Sequence, residues 1–259
     1  MTRFGARHRR SGDARTPRNQ RRGLDLGAAA LTLGFGAFAH AVLPERARAA
    51  AGAGAAVGVA VLAHAVGADA RDLGVDRRDV GSGIRVGAAA ASAVVGVTAV
   101  ARALDRSGAA FRDARVTDAS NAQAAVQLLV RIPLATALVE ELVFRGVILG
   151  LGARGGDRRR ALLVSSVAFG LWHIGAALHP ARRDAAGDAV GLPGTTAPAV
   201  LGDVVATTVG GLGFGWLRLR SGSIVAPTLA HGALNASAYL ATRLGAGRGS
   251  GAARSGAAR

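Results

Sequence analysis

Seven apolar runs of about 20 to 30 residues, each closed by a cluster of Arg, Asp, Gly or Pro, leave this 259-residue chain few ways to fold. They fall at 24–43, 49–68, 84–104, 122–151, 161–179, 198–218 and 223–243. A run of that length spans the ~30 Å hydrocarbon core of a bilayer as a helix, and helices satisfy their own backbone groups where no water is available. The expected fold is therefore all-α, a polytopic transmembrane helical bundle of about seven spans. Around the runs the chain divides into a basic arm over 1–23, a first group of transmembrane helices over 24–104, a second over 105–244 and a tail over 245–259. The arm and the tail read as disordered, one through its charge and the other through its Gly-Ala-Arg repetition. The run 24–43 is too long for a signal h-region of ~7 to 15 residues, so it reads as an uncleaved first span despite Arg21-Arg22 before it.

Charge sets the partners. The formal net charge is +16, and every basic residue is Arg. The arginines sit in the tails and short loops, with no nucleic-acid module or aromatic interleaving beside them, so nucleic acid is not expected and the lipid bilayer is. Their bias favours a cytoplasmic N-terminus in a multi-pass cell-membrane protein, with Arg71, Arg77, Arg78, Arg85, Arg154, Arg158 to Arg160, Arg218 and Arg220 inside. Cysteine is absent, which removes disulfides, thiolate catalysis and Cys-ligated zinc together.

Against that apolar background Glu140 and Glu141 stand side by side, with Arg145 following. An ionisable residue at bilayer depth costs at least ~2.5 kcal/mol on insertion scales, so it is expected to meet a partner or a site. Glu141 and Arg145 are spaced i,i+4 with the glutamate first, the favoured order for a helix ion pair. Glu140 has no cation at that spacing and is expected to face other helices. Two later runs place polar groups on one helix face, Phe169 with His173 and His231 with Asn235. Counted from the cytoplasmic ends, Glu140, His173 and His231 lie at similar depths of roughly 12 to 17 Å. Three motifs in one plane argue for one intramembrane site, with Phe169 packing beside it. His8, His40, His64 and His179 lack such a partner and are assigned bulk or interfacial positions.

A carboxylate, two imidazoles and an amide can activate water and stabilise a tetrahedral oxyanion. Rival intramembrane protease chemistries lack their residues. There is no HExxH helix, no Gly-x-Ser-x-Gly turn and no pair of membrane aspartates, and nothing singles out Ser165 or Ser166. A glutamate-centred hydrolase remains.

The motifs are specific in order: Glu-Glu-Leu-Val-Phe-Arg-Gly at 140–146, Ser-Val-Ala-Phe-Gly-Leu-Trp-His at 166–173, and a glycine-rich run at 213–224 leading to His231-Gly-Ala-Leu-Asn235. Over roughly 120–240 the chain resembles the CPBP family, the CAAX-prenyl endopeptidase and bacteriocin-processing (Abi) intramembrane proteases related to the Ras-converting enzyme. Asp72-Leu73-Gly74 with Arg77 and Arg78 resembles a recurrent loop of that family. The resemblance implies an endopeptidase acting on a membrane-associated peptide or protein, with Glu140 and His173 holding and deprotonating the attacking water. It further implies that His231 and Asn235 form the oxyanion hole, while Glu141 with Arg145 braces the helix. Two cofactor states stay open, none or a Zn²⁺ held by Glu140, His173 and His231, and the lack of a two-histidine helix favours the metal-free one. A catalytically silent immunity or scaffold protein of the same fold is the alternative, or a proton-coupled transporter, for which the halves should show a repeat that is not found.

Overall fold

The computed structural model describes residues 23–105, 111, 113–178 and 197–256, which form seven long helices and no strand. These are α1 (Leu24–Val42), α2 (Glu45–Ala65), α3 (Val80–Leu104), α4 (121–154, a continuous helical run), α5 (Arg158–Trp172), α6 (Ala197–Ser221) and α7 (Val225–Gly256). Each expected run has its helix. α5 stops at Trp172, short of the expected residue 179, with His173 as its C-cap. α7 continues to Gly256, into the stretch read as a tail. His8, His179 and most of the basic arm lie outside the described residues.

Three helices are long and apolar enough to cross a membrane among the described residues: Ala47–Ala65, Arg77–Leu104 and Ala197–Ser221. The bundle presents large apolar side chains outward, such as Val97, Leu104, Leu129 and Leu201, a surface that suits lipid and not water. α4 is different in kind. It carries Arg131, Glu140, Glu141 and Arg145, and from Val143 to Gly152 every residue is buried. A helix covered on all sides is a core element, and α4 is the axis around which the bundle packs. Phe144 and Ile148 meet Phe169 of α5, Phe214 of α6, Ala230 of α7 and the alanines of α1 and α2 in one apolar cluster. Ser165 and Ser166, the two serines considered as nucleophiles, donate to the carbonyls of Phe144 and Leu162 at 2.7 Å each. They hold backbone, not substrate.

Pro133 stands inside this helix, and the run continues through it. The turns from Gln127 to Leu138 widen into π register, so the bond that proline cannot donate is absorbed by the wider turn. A second π segment, Leu142–Ile148, begins immediately after the glutamates.

Two ties fix the ends that flank the site. The carboxylate of Asp25 at the start of α1 is fully buried and lies 2.7 Å from Nη1 of Arg160 on α5. The loop between α2 and α3 folds back over the ends of α4, α6 and α7. Nη2 of Arg218 donates to the carbonyls of Arg71 and Asp72 at 2.8 and 2.9 Å, and the Ile224 amide donates to Gly74 at 2.9 Å. Gly74 has φ +70° and touches the Arg218 guanidinium, so a side chain fits neither the backbone nor the space. Gly146 and Gly150, whose spacing suggests a helix–helix contact, instead let the backbone at Asp72 and Leu73 lie against α4.

Candidate active site

Two neighbouring positions on α4 point in different directions, as adjacent residues on a helix do. Glu141 turns into the bundle and is fully buried. Its Oε1 accepts from Nη1 of Arg145 at 3.1 Å and from Nδ1 of His231, on α7, at 2.9 Å. Glu140 turns toward α1, α2 and α5. Its Oε1 accepts from Nε1 of Trp172 at 3.4 Å, and its Oε2 lies 3.9 Å from Nε2 of His231. That Oε2 is buried and accepts no hydrogen bond from the described residues.

Arg145 is buried as completely as its partner, which is tolerable only because its charge is met on several sides. Nη2 donates to the Gly211 carbonyl of α6 at 3.2 Å, and the guanidinium carbon sits 4.2 Å from the centre of the Phe169 ring. Phe214 and Phe144 close the cage at 5.4 and 5.9 Å. Cation–π attraction strengthens where water is excluded. The cage thus holds Arg145, Arg145 holds Glu141, and Glu141 holds His231.

His231 is further fixed by its ring neighbours, stacked on Phe214 at 4.9 Å and edge-on to Phe169 at 5.8 Å. Because a carboxylate accepts only, Glu141 selects the Nδ1–H form and leaves Nε2 facing Glu140. His173 sits on the other side of Phe169, with ring centres 4.6 Å apart. Its Nδ1 donates to the Phe169 carbonyl at 2.7 Å, so its Nε2 is likewise the free nitrogen. Phe169 is the common wall of both imidazoles and of Arg145. Asn235 lies one turn beyond His231, half-buried, and makes no side-chain hydrogen bond among the described residues.

The structure therefore brings Glu140, Glu141, Arg145, Phe169 and His231 into one contact network and sets His173 against it. One expectation changes. Glu141 is not confined to its own helix, because it is the hydrogen-bond partner of His231. Trp172 was missed, although it stands inside the motif next to His173; a tryptophan in an apolar run looks like packing until its N–H has an acceptor. Phe214 was missed because its role, stacking on His231 and facing Arg145, comes only from what lies opposite it. His64, expected to be without a partner, pairs through Nδ1 with the Ala68 carbonyl at 3.0 Å beside the end of α2.

A three-ligand zinc site needs donors closing on one point at about 2.0–2.2 Å. Among the described residues no three His, Cys, Asp or Glu side chains are placed to do this. Glu140, His173 and His231 have the right donor chemistry, and each keeps one donor atom uncommitted while its other is held by Trp172, the Phe169 carbonyl or Glu141. What they lack, as placed, is closure on one point.

Beside Glu140 opens a partly open cavity of about 50 Å³ between α1, α2, α4 and α5, walled by apolar side chains. Among the described residues that line it, Glu140 is the one that carries a charge.

Residues 122–237 match the family model described as type II CAAX prenyl endopeptidase Rce1-like, and that segment contains every residue of the network. No curated protein and no solved structure matches the chain.

Proposed function

We propose that this chain, whose residues 122–237 match the Rce1-like family of type II CAAX prenyl endopeptidases, hydrolyses a peptide bond of a membrane-associated protein with Glu140 as the base. The observation that carries the reading is the second oxygen of Glu140, buried, without a donor, and 3.9 Å from Nε2 of His231. One water hydrogen-bonded at about 2.8 Å to each atom bridges such a gap.

In the proposed reaction Glu140 takes a proton from that water, with Nε2 of His173 helping to hold it. The hydroxide adds to the scissile carbonyl, and the carbonyl electron pair moves to oxygen. Nε2 of His231 takes that proton from Glu140, and it and the Asn235 amide donate to the resulting oxyanion; the proton returns to Glu140 as the oxyanion collapses. The tetrahedral intermediate collapses, the C–N bond breaks, and the proton on Glu140 passes to the leaving nitrogen. The products are a new carboxylate and a new amine, and Glu140 returns to its starting state. Glu141 and Arg145 do not touch substrate; they hold the imidazole in orientation.

The arginines of the loop at 71–85, with Arg154, Arg158, Arg159 and Arg220, share the end of the bundle that the Arg218 contacts draw together. This supports a cytoplasmic N-terminus and a site reached from the cytoplasmic half of the bilayer. The test is cleavage by purified protein in nanodiscs. Wild type is expected to produce cleaved termini that Glu140→Gln does not, and equal products from both would overturn the reading.

A further inference from the structure

The cavity beside Glu140 is walled largely by a part of the chain that lies before the family match, which begins at residue 122. Leu31 and Phe35 of α1 and Gly52, Ala56 and Val59 of α2 face Val143 and Glu140 across it. Its polar groups are already committed. The Thr32 hydroxyl donates to the Ala28 carbonyl at 2.8 Å, and the Trp172 indole donates to Glu140. An occupant therefore meets hydrocarbon everywhere except at the carboxylate. A scissile carbonyl must come within ~3–3.5 Å of the attacking oxygen, so a side chain next to the scissile bond reaches directly into this space.

We infer that the cavity is a specificity pocket for one apolar side chain, of about leucine to phenylalanine size, flanking the scissile bond, and that α1 and α2 set its size. The inference rests on the endopeptidase reading. Selectivity then resides in Phe35, Gly52, Ala56 and Val59, while the chemistry resides on α4, α5 and α7. Gly52 is the informative position. A Cβ added there has nothing within 4 Å, so a longer side chain enters the pocket without moving backbone, and replacing a helix-interior glycine favours the helix.

The experiment presents a proteome-derived peptide mixture to the full-length protein in nanodiscs and reads cleavage sites by mass spectrometry, with Glu140→Gln as background. Wild type is expected to prefer Leu, Ile, Met or Phe at one flanking position. Gly52→Leu is expected to move that preference toward Ala and Gly by roughly tenfold or more, the scale on which apolar pockets discriminate. Val59→Ala, which enlarges the cavity and does not depend on the glycine variant folding, is expected to admit larger residues. The pocket is overturned if wild type cleaves but both variants keep its preference, or if both only lower every cleavage alike. It is also overturned if cleavage follows an attached lipid chain and not the flanking residue. Failure of wild type to exceed the Glu140→Gln background would overturn the endopeptidase reading itself.

Discussion

Nδ1 of His231 donates to Oε1 of Glu141 at 2.9 Å, a contact between α7 and α4 across 90 positions of sequence. The same carboxylate oxygen accepts from Arg145 at 3.1 Å. Glu141 is thus the joint between a caged cation and an imidazole that faces Glu140, and it couples the stability of the bundle to the geometry of the site.

The first prediction concerns that joint. Glu141→Gln leaves the fully buried Arg145 without its counter-charge, which is expected to cost about 3–5 kcal/mol. Thermal unfolding in detergent is expected to show the loss, and residual cleavage by the folded fraction is expected to fall as His231 loses its orientation. Removing both charges, in Glu141→Gln with Arg145→Met, is expected to recover part of the stability lost by Glu141→Gln alone. A double variant whose loss equals the summed losses of Glu141→Gln and Arg145→Met would show that the pair is not energetically coupled.

Trp172 is expected to position Glu140 through one hydrogen bond of 3.4 Å. Trp172→Phe keeps the aromatic packing and removes the donor. It is expected to lower kcat by about 3- to 10-fold, in line with ~1 kcal/mol for a bond of this kind, with little change in KM or melting temperature.

Gly36 of α1 is in contact with the six-membered ring of Trp172, and a Cβ there overlaps it. Gly36→Ala is expected to push the indole away from Glu140 and lower activity more than Trp172→Phe does. In the Trp172→Phe background the same alanine is expected to cost almost nothing, because the shorter ring vacates the space. Additive losses in a double-variant cycle would contradict this.

Gly74→Ala tests the loop that closes the end of the bundle. The left-handed backbone and the Arg218 contact together are expected to make it cost about 1–3 kcal/mol. Increased proteolysis within 67–79 would report the loss of docking, and an unchanged cleavage pattern would contradict it.

Helix number and order were legible because apolar runs punctuated by Arg, Asp, Gly and Pro mark where helices run, and α1 to α7 fall where the runs do, although only three helices among the described residues are long and apolar enough to cross a membrane. The residues of the site were legible because ionisable groups in such runs are conspicuous: Glu140, His173 and His231 stand out from their neighbours. Their pairing was not. Adjacent residues on a helix differ by about 100° in direction, and which glutamate hydrogen-bonds Nδ1 of His231 depends on how α4 is rotated in the bundle and on how α7 packs against it. Spacing encodes neither. Trp172 and the glycines at 146 and 150 are apolar or small residues whose roles come from what lies opposite, here a carboxylate and a loop backbone.

The claim that Glu140 is the base is tested most directly by comparing new N-termini in membranes that carry wild type or Glu140→Gln at equal abundance. General-base removal is expected to lower cleavage by about 10²- to 10⁴-fold, so termini generated by wild type should vanish in the variant. The same termini at the same levels in both membranes would contradict the assignment.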